Sequence, residues 1–155
     1  MTDALPTDRP RLLIRLLHPQ ARTPTYQSAG AAGMDLGACP HDGANVIIPP
    51  GEVRMIPCGF AMCIPPGFEG QVRPRSGLAS RHRVTLPNTP GTIDCDYRGE
   101  VMVPLINLGA APFVVEPGMR IAQLVIAPVA RAEIEVCESL DQTTRGEGGF
   151  GSTGL

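Results

Sequence analysis

Hydrophobic residues alternate with polar ones over several short stretches of this chain, which is the pattern of strands with one buried face. Phe60, Met62 and Ile64 form one such set, and residues 131–137 contain another. The pattern predicts strands at residues 11–17, 44–48, 53–57, 60–64, 101–107, 121–128 and 131–137.

Three Pro-Gly pairs separate these strands, with proline and glycine in the order that a type II turn requires. The pairs are Pro50-Gly51, Pro66-Gly67 and Pro117-Gly118. No stretch keeps a helical period for long, and the best helix candidate is 77–83 with Ser76 as N-cap. Many short strands with almost no helix indicate an all-β fold, an antiparallel sandwich, barrel or jelly roll.

The composition fits one packed domain. Of the 155 residues, 43% are hydrophobic and 18% are charged. The net charge is −2 and the arginines form no stripe, which disfavours a nucleic acid or a membrane surface as partner. All thirteen basic residues are arginine, which excludes mechanisms that need a Schiff-base or P-loop lysine. We expect a loose N-terminus over 1–10, a β domain over 11–140 and a flexible glycine-rich arm over 141–155.

Cysteines and histidines carry no metal or redox signature. The five cysteines are an odd number without the two-residue spacing of a zinc or redox motif, so reduced thiols are expected. The apolar run near the N-terminus is broken by Arg15 and lacks a cleavage site, and we expect a soluble, cytoplasmic protein. The histidines His18, His41 and His82 support neither a zinc hydrolase nor a Ser-His-Asp hydrolase, and His82 is expected to be solvated.

Residues 145–154 are the most unusual segment, since five of the ten are glycine. A terminus of this kind is ordinarily a flexible tail. Here Arg145, Phe150, Ser152 and Thr153 are interleaved with the glycines, which adds phosphate donors and a stacking ring. The spacing of the glycines resembles a P-loop, but Ser152 stands where lysine is required and no helix can follow. A P-loop is therefore excluded, whereas an anion-binding lid is not.

Residues 91–99 lead into a predicted strand and carry two acidic groups. Asp96 to Gly99 suits a β-turn, so Asp96 has a structural role. Asp94 is left over, and we expect it to be partly shielded from water, where a carboxylate acts as a base or pairs with a cation. Tyr97 on a tight turn is typical of a contact residue.

At residues 74–79 a cation, a hydroxyl and a permissive backbone stand at a possible helix start, as Arg75, Ser76 and Gly77. This is a common form of anion site, and the alternative is a helix cap with a surface arginine. Residues 33–36 and 120–124 are weaker indications of a binding site. Taken singly, Asp35 is explained as a turn residue and Gln123 as an amide that forms hydrogen bonds within a strand.

These five segments, in this order, resemble the five motifs of the homotrimeric dUTPase family, the deoxyuridine triphosphate nucleotidohydrolases. The matching segments are residues 33–36, 74–79, 91–99, 118–124 and 145–154. Met34 departs from the pattern, since many members carry an aromatic or small residue there. The resemblance implies jelly-roll subunits in a trimer with three active sites at subunit interfaces. Each site would take its first, second and fourth motifs from one subunit, its third from another and its fifth from the third.

The resemblance also implies roles for single residues. Asp94 would orient the attacking water and bond the sugar 3′-hydroxyl, and Tyr97 would pack where a 2′-hydroxyl would project. Asn88 would read the uracil edge, and Phe150 would lie over the base. The rest of the implied substrate-binding set, mainly for the triphosphate, is Arg75, Ser76, Gly77, Thr92, Gln123, Arg145, Gly151, Ser152 and Thr153. Asp35 would act through water on the Mg²⁺ that the triphosphate carries.

The implied reaction is Mg²⁺-assisted attack of water on the α-phosphorus of dUTP, which gives dUMP and pyrophosphate. It would lower dUTP and supply dUMP for thymidylate synthesis. Negative charge develops on the phosphate oxygens in the transition state, and cations and preorganised hydrogen-bond donors stabilise that charge. Two alternatives stay open: a dCTP deaminase on the related fold, for which the sequence offers no identifiable base, and a jelly-roll interaction module without turnover.

Overall fold

The computed structural model describes residues 9–149. Within this range the chain forms eleven strands and one short helix, α1. The strands are β1 Leu13–Leu16, β2 Thr25–Tyr26, β3 Met34–Gly37, β4 Val46–Ile48, β5 Val53–Cys63, β6 Phe68–Pro74, β7 Val84–Thr85, β8 Gly91–Ile93, β9 Glu100–Asn107, β10 Phe113–Val115 and β11 Arg120–Pro128. The helix is α1 Ser76–His82. The predicted all-β fold is confirmed.

All strand pairs are antiparallel, in two large sheets and one small one. One large sheet has the order β1-β5-β9-β7, the other has the order β2-β3-β11-β6-β8, and β10 pairs with β4. One hydrophobic cluster joins both large sheets, with Phe60 and Val103 from the first and Leu36 and Leu124 from the second. The fold therefore has a single core between its sheets.

The three Pro-Gly turns form as predicted. Gly51, Gly67 and Gly118 have φ of 77°, 84° and 78°, the left-handed values that the third position of a type II turn requires. In each turn the N–H after the glycine donates to the carbonyl three residues earlier, at 3.1, 3.3 and 3.0 Å.

The predicted strands 53–57 and 60–64 are one strand, β5, with an irregularity between them. Its pairing with β9 shifts register between Pro57 and Ala61, which is the mark of a β-bulge. Gly59 lies in this bulge with φ of 74°, and a Cβ added there would be 2.7 Å from Sγ of Cys39. The bulge therefore requires glycine.

Two local predictions were wrong. The helix begins one residue earlier than expected, so Ser76 is its first residue, and Arg75 is the N-cap without a side-chain capping bond. Residues 131–137 form no strand, although their pattern alternates. Ile134 and Val136 are 89% and 94% exposed, because this part of the chain packs against nothing among residues 9–149. No helix in the described range is long and apolar enough to cross a membrane.

Candidate active site

Asp35 joins three of the five sequence motifs. It lies on β3, opposite Gln123 on β11, and is only 6% exposed. Arg120 donates from Nη1 to its Oδ2 at 2.9 Å, and Gln123 donates from Nε2 to its Oδ1 at 3.4 Å. Nε of Arg75 is 3.6 Å from the same Oδ1. A buried carboxylate thus holds two arginines and an amide together, as a buried charge requires.

The start of α1 adds anion-binding groups beside this cluster. Arg75 also donates from Nη1 to the carbonyl of Arg120 at 2.8 Å, which ties the helix start to β11. Ser76 and Gly77 follow as exposed residues in the first helical turn. The first N–H groups of a helix have no partner within the helix and attract anions. Cations, a hydroxyl and free donors therefore meet at this end of β6.

Asp94 opens a tight turn directly after β8. Its carbonyl accepts the N–H of Tyr97 at 3.1 Å, so the turn spans 94–97 and the turn predicted at Asp96 to Gly99 was wrong. Asp94 is exposed in the single chain, in contrast to the shielding expected.

A cavity of about 320 Å³ lies beside this turn. Its lining includes four predicted substrate-binding residues, Asn88, Thr92, Asp94 and Tyr97. Met55, Met102 and Pro104 supply an apolar wall. The chain thus brings these four predicted residues together around one space of a size suited to a small ligand.

Asp94 and the Asp35 cluster lie at opposite ends of β6. Ile93 pairs with Gly70, so Asp94 follows at the Phe68 end of the strand. Arg75 follows Pro74 at the other end. Six residues of extended strand between these positions correspond to about 20 Å. A single copy therefore does not bring Asp94 to the arginines.

The glycine-rich segment is described only in part. Arg145 is exposed, and its Nε donates to the carbonyl of Gly148 at 2.8 Å. Four of the predicted site residues, Phe150, Gly151, Ser152 and Thr153, lie outside the described residues.

Two residues near the site were missed by the sequence analysis. Arg120, the ion-pair partner of Asp35, lies at the start of the fourth motif, and a cation three residues before Gln123 was the available signal. Glu100, the residue after the third motif, accepts the Gly59 N–H at 2.9 Å and lies 2.9 Å from Nε2 of His41. No short-range pattern connects Glu100 with Gly59, because the contact depends on the bulge in β5.

Histidine and cysteine side chains form local contacts elsewhere. His82 is exposed as expected, but its ring also lies 5.3 Å from that of Phe113. All five cysteines are free thiols. Burial, followed by the charges of Glu100 and Cys39, raises the pKa of the Cys58 thiol to about 12. Within residues 9–149 no three His, Cys, Asp or Glu side chains are grouped so as to hold a metal ion.

Sequence comparisons with known proteins point to one family. A sequence model of the dUTPase family matches residues 19–154. The deoxyuridine 5′-triphosphate nucleotidohydrolase of Syntrophotalea carbinolica is 61% identical over 142 residues, which cover 92% of this chain and 95% of that protein. The Rhizobium etli protein of the same name is 56% identical over 149 residues, which cover 95% of this chain and 96% of that one.

Solved structures with a similar fold are also dUTPases. The dUTPase of Staphylococcus bacteriophage 80alpha with dUpNHpp has a TM-score of 0.84 and 28% identity, and the match covers 94% of this chain and 99% of that one. A mutant dUTPase of phage phi11, described with a structural Mg(II) ion, has a TM-score of 0.75 and 25% identity over 83% of this chain and 97% of that one. From its motifs, its all-β fold and a family match over most of its length, this chain belongs to the dUTPase family.

Proposed function

We propose that this dUTPase hydrolyses dUTP to dUMP and pyrophosphate at sites built from several copies of the chain. Asp94 would accept a proton from the attacking water while a new P–O bond forms at the α-phosphorus. The bond from that phosphorus to the bridging oxygen then breaks, and pyrophosphate leaves. The observation that carries this proposal is the grouping of Asp94, Tyr97, Asn88 and Thr92 around one cavity.

The cavity suits the nucleoside half of the substrate. Asn88 supplies amide groups for the uracil edge, and Tyr97 supplies a ring for the deoxyribose. Phe150 would cover the base from the C-terminal arm. Discrimination against thymine would come from a clash of its methyl group with the main chain of residues 88–99, since one methyl contact changes affinity by only about 1–3 kcal/mol.

The Asp35 cluster suits the triphosphate half. Arg75, Ser76, Gly77 and Gln123 offer charged and neutral donors to phosphate oxygens, and the arm would add Arg145, Ser152 and Thr153. Asp35 already accepts from Arg120 and Gln123, so its contact with a metal ion would pass through water. Mg²⁺ carried by the triphosphate would neutralise charge on the phosphates when bound.

Two features support sites shared between copies, in a homotrimer. The first is the distance of about 20 Å along β6 between Asp94 and Arg75, which is too long for one nucleotide α-phosphate to meet both. The second is the segment 131–140, whose side chains Ile134, Val136 and Leu140 are 89%, 94% and 84% exposed. Alternating apolar residues of this exposure are typical of a strand that completes the sheet of another copy.

The five free thiols suit a reducing cytoplasm.

Complementation between two inactive variants tests the shared site. Asp94→Asn subunits are mixed with subunits truncated after Asp141, unfolded together and refolded, and dUTP-dependent pyrophosphate release is measured. Random assembly into trimers leaves about a quarter of the sites with both parts intact. Activity well above that of either variant alone is the expected result.

Absence of recovery in a mixture shown by mass to contain hybrid trimers would mean that Asp94 and the glycine-rich arm act within one chain. Release of ammonia from dCTP by the wild-type protein, measured in a separate assay, would instead favour the deaminase. Absence of product from either nucleotide with the wild-type protein would favour an interaction module.

A further inference from the structure

The ring of Tyr97 is held by Gly99 and Glu100, which lie two and three residues further along the chain. Its hydroxyl donates to the main-chain carbonyl of Glu100 at 2.9 Å. Its ring lies directly against Gly99, where an added Cβ would be 2.5 Å from Cζ and 2.9 Å from Cε2. The three atoms nearest to that Cβ all belong to Tyr97, so a larger residue at 99 would displace the ring first.

Glu100 is itself fixed through its side chain. The carboxylate accepts the N–H of Gly59 at 2.9 Å and is flanked by Nε2 of His41 at 2.9 and 3.0 Å. Gly59 lies in the bulge of β5, where the regular pairing with β9 is interrupted. The carboxylate thus serves as the acceptor for an N–H group at a point where the ladder is irregular.

Gly59 is a firm anchor for this contact. Its carbonyl accepts the N–H groups of Leu17 and His18 at 2.8 and 3.2 Å. The Sγ of Cys39 lies so close that no side chain fits at position 59. The start of β9 is therefore connected, through Glu100, to a part of the core that has little freedom to shift.

We propose that Gly99 and Glu100 are positioning residues that set the place of the Tyr97 ring and thereby the selectivity for deoxyribose over ribose. This inference rests on the role of Tyr97 in the proposed function. Gly99 leaves room for the ring, and the main-chain carbonyl of Glu100 accepts the hydrogen bond from its hydroxyl. The side-chain carboxylate of Glu100, bound to the Gly59 N–H, keeps the start of β9 from shifting. Neither residue needs to touch the nucleotide.

Steady-state kinetics with dUTP and UTP test the proposal. The full-length variants are Gly99→Ala, Glu100→Ala, Glu100→Gln, Tyr97→Phe and Tyr97→Ala. Gly30→Ala and Glu52→Ala are the controls, since a Cβ at Gly30 meets nothing within 4 Å and Glu52 is an exposed partner of Arg54. Thermal unfolding and the mass of the assembly are recorded for each protein.

Gly99→Ala and Glu100→Ala should lower the dUTP to UTP ratio of kcat/KM about tenfold, because dUTP loses a sugar contact that UTP never makes. Tyr97→Phe should lower the ratio about two- to threefold by removing only the bond to Glu100. Glu100→Gln keeps an acceptor for Gly59 and should stay within about twofold of the wild type, as should both controls.

The proposal is overturned if Gly99→Ala and Glu100→Ala fold normally and keep the wild-type ratio while Tyr97→Ala loses it. If Tyr97→Ala also keeps the ratio, the sugar-discriminating role of Tyr97 fails, and this inference fails with it. If Glu100→Ala does not fold, Gly99→Ala and Tyr97→Phe decide the matter, since both leave the contact between Glu100 and Gly59 intact.

Discussion

At the scale of the residue, Asp94 is an exposed carboxylate at the first position of a turn. Among residues 9–149 its side chain makes none of the hydrogen bonds that occupy Asp35, so it can face a substrate. In the shared site proposed above, a second copy would shield this exposed carboxylate from bulk solvent.

Replacement of Asp94 by Asn should lower turnover by about 10²- to 10⁴-fold, because a positioned base is worth that much. The amide keeps the size of the side chain, so nucleotide affinity and the fold should change little. Pyrophosphate release and binding of a non-hydrolysable dUTP analogue measure the two effects. Asp96→Asn, two residues further along the chain, is the matched control. Equal turnover in the two variants would mean that a group other than Asp94 acts as the base.

Cys58 links stability to alkaline pH. Its pKa rises from 9.0 to about 12 in the folded chain, first because of burial. The folded state therefore holds the thiol proton more tightly than the unfolded state. This contribution to stability is complete below pH 9 and is lost as the pH rises toward 12.

Cys58→Ala should therefore be less stable than the wild type at pH 8, and its deficit should shrink between pH 9 and 12. Urea unfolding at several pH values measures the difference in the free energy of unfolding. Val103→Ala, a core variant without a titrating group, should keep a constant deficit over the same range. A constant deficit for Cys58→Ala as well would contradict the linkage.

At the scale of the element, Asn107 closes the end of β9. It is fully buried, and its Nδ2 donates to the carbonyls of Ile48 and Ala111 at 2.9 and 2.8 Å. Its Oδ1 accepts the N–H of Gly109 at 2.9 Å. One amide thus joins β9, β4 and the loop before β10.

Asn107→Ala should destabilise the protein by about 2–4 kcal/mol, since it removes a fully buried side chain and three main-chain groups lose their partner, among them the buried carbonyl of Ile48. Urea unfolding followed by circular dichroism gives the free energy of unfolding. Asn45→Ala, at an exposed position before β4, should change it by less than about 0.5 kcal/mol. A similar small effect at both positions would show that water replaces the amide at Asn107.

At the scale of the whole molecule, residues 131–137 have the pattern of a strand but no partner within the described chain. The glutamates on one face would remain in water, and the apolar face would meet another copy. The same assembly would carry the following glycine-rich arm away from its own sheets.

Ile134→Asp should therefore weaken assembly, because it puts a charge on the face that the partner would cover. Light scattering at a series of protein concentrations should show a lower mean mass than for the wild type. Glu135→Gln changes the opposite face and should leave the mass unchanged. Equal masses for Ile134→Asp and the wild type would argue against exchange of this segment.

The glycines of the three Pro-Gly turns show what the sequence determined by itself. A type II turn depends on two neighbouring residues and on the left-handed φ that glycine tolerates, so Gly51, Gly67 and Gly118 could be recognised without any distant contact. The residue types at the five motifs also indicated phosphate and nucleoside chemistry, and the roles of those residues stay predictions. These signals are local, and they placed the three Pro-Gly reversals correctly.

The tertiary structure decided which distant residues meet. Asp35 and Arg120 are 85 positions apart, and only the register of β3 and β11 brings them to 2.9 Å. The contact between Glu100 and Gly59 depends on the bulge in β5, which the hydrophobic pattern of the sequence does not predict. Alternation at 131–137 predicted a strand, yet a strand needs an edge to pair with, and its own chain supplies none among the described residues. Pairing partners are determined by the whole fold, and for this segment the proposed assembly would supply the missing edge.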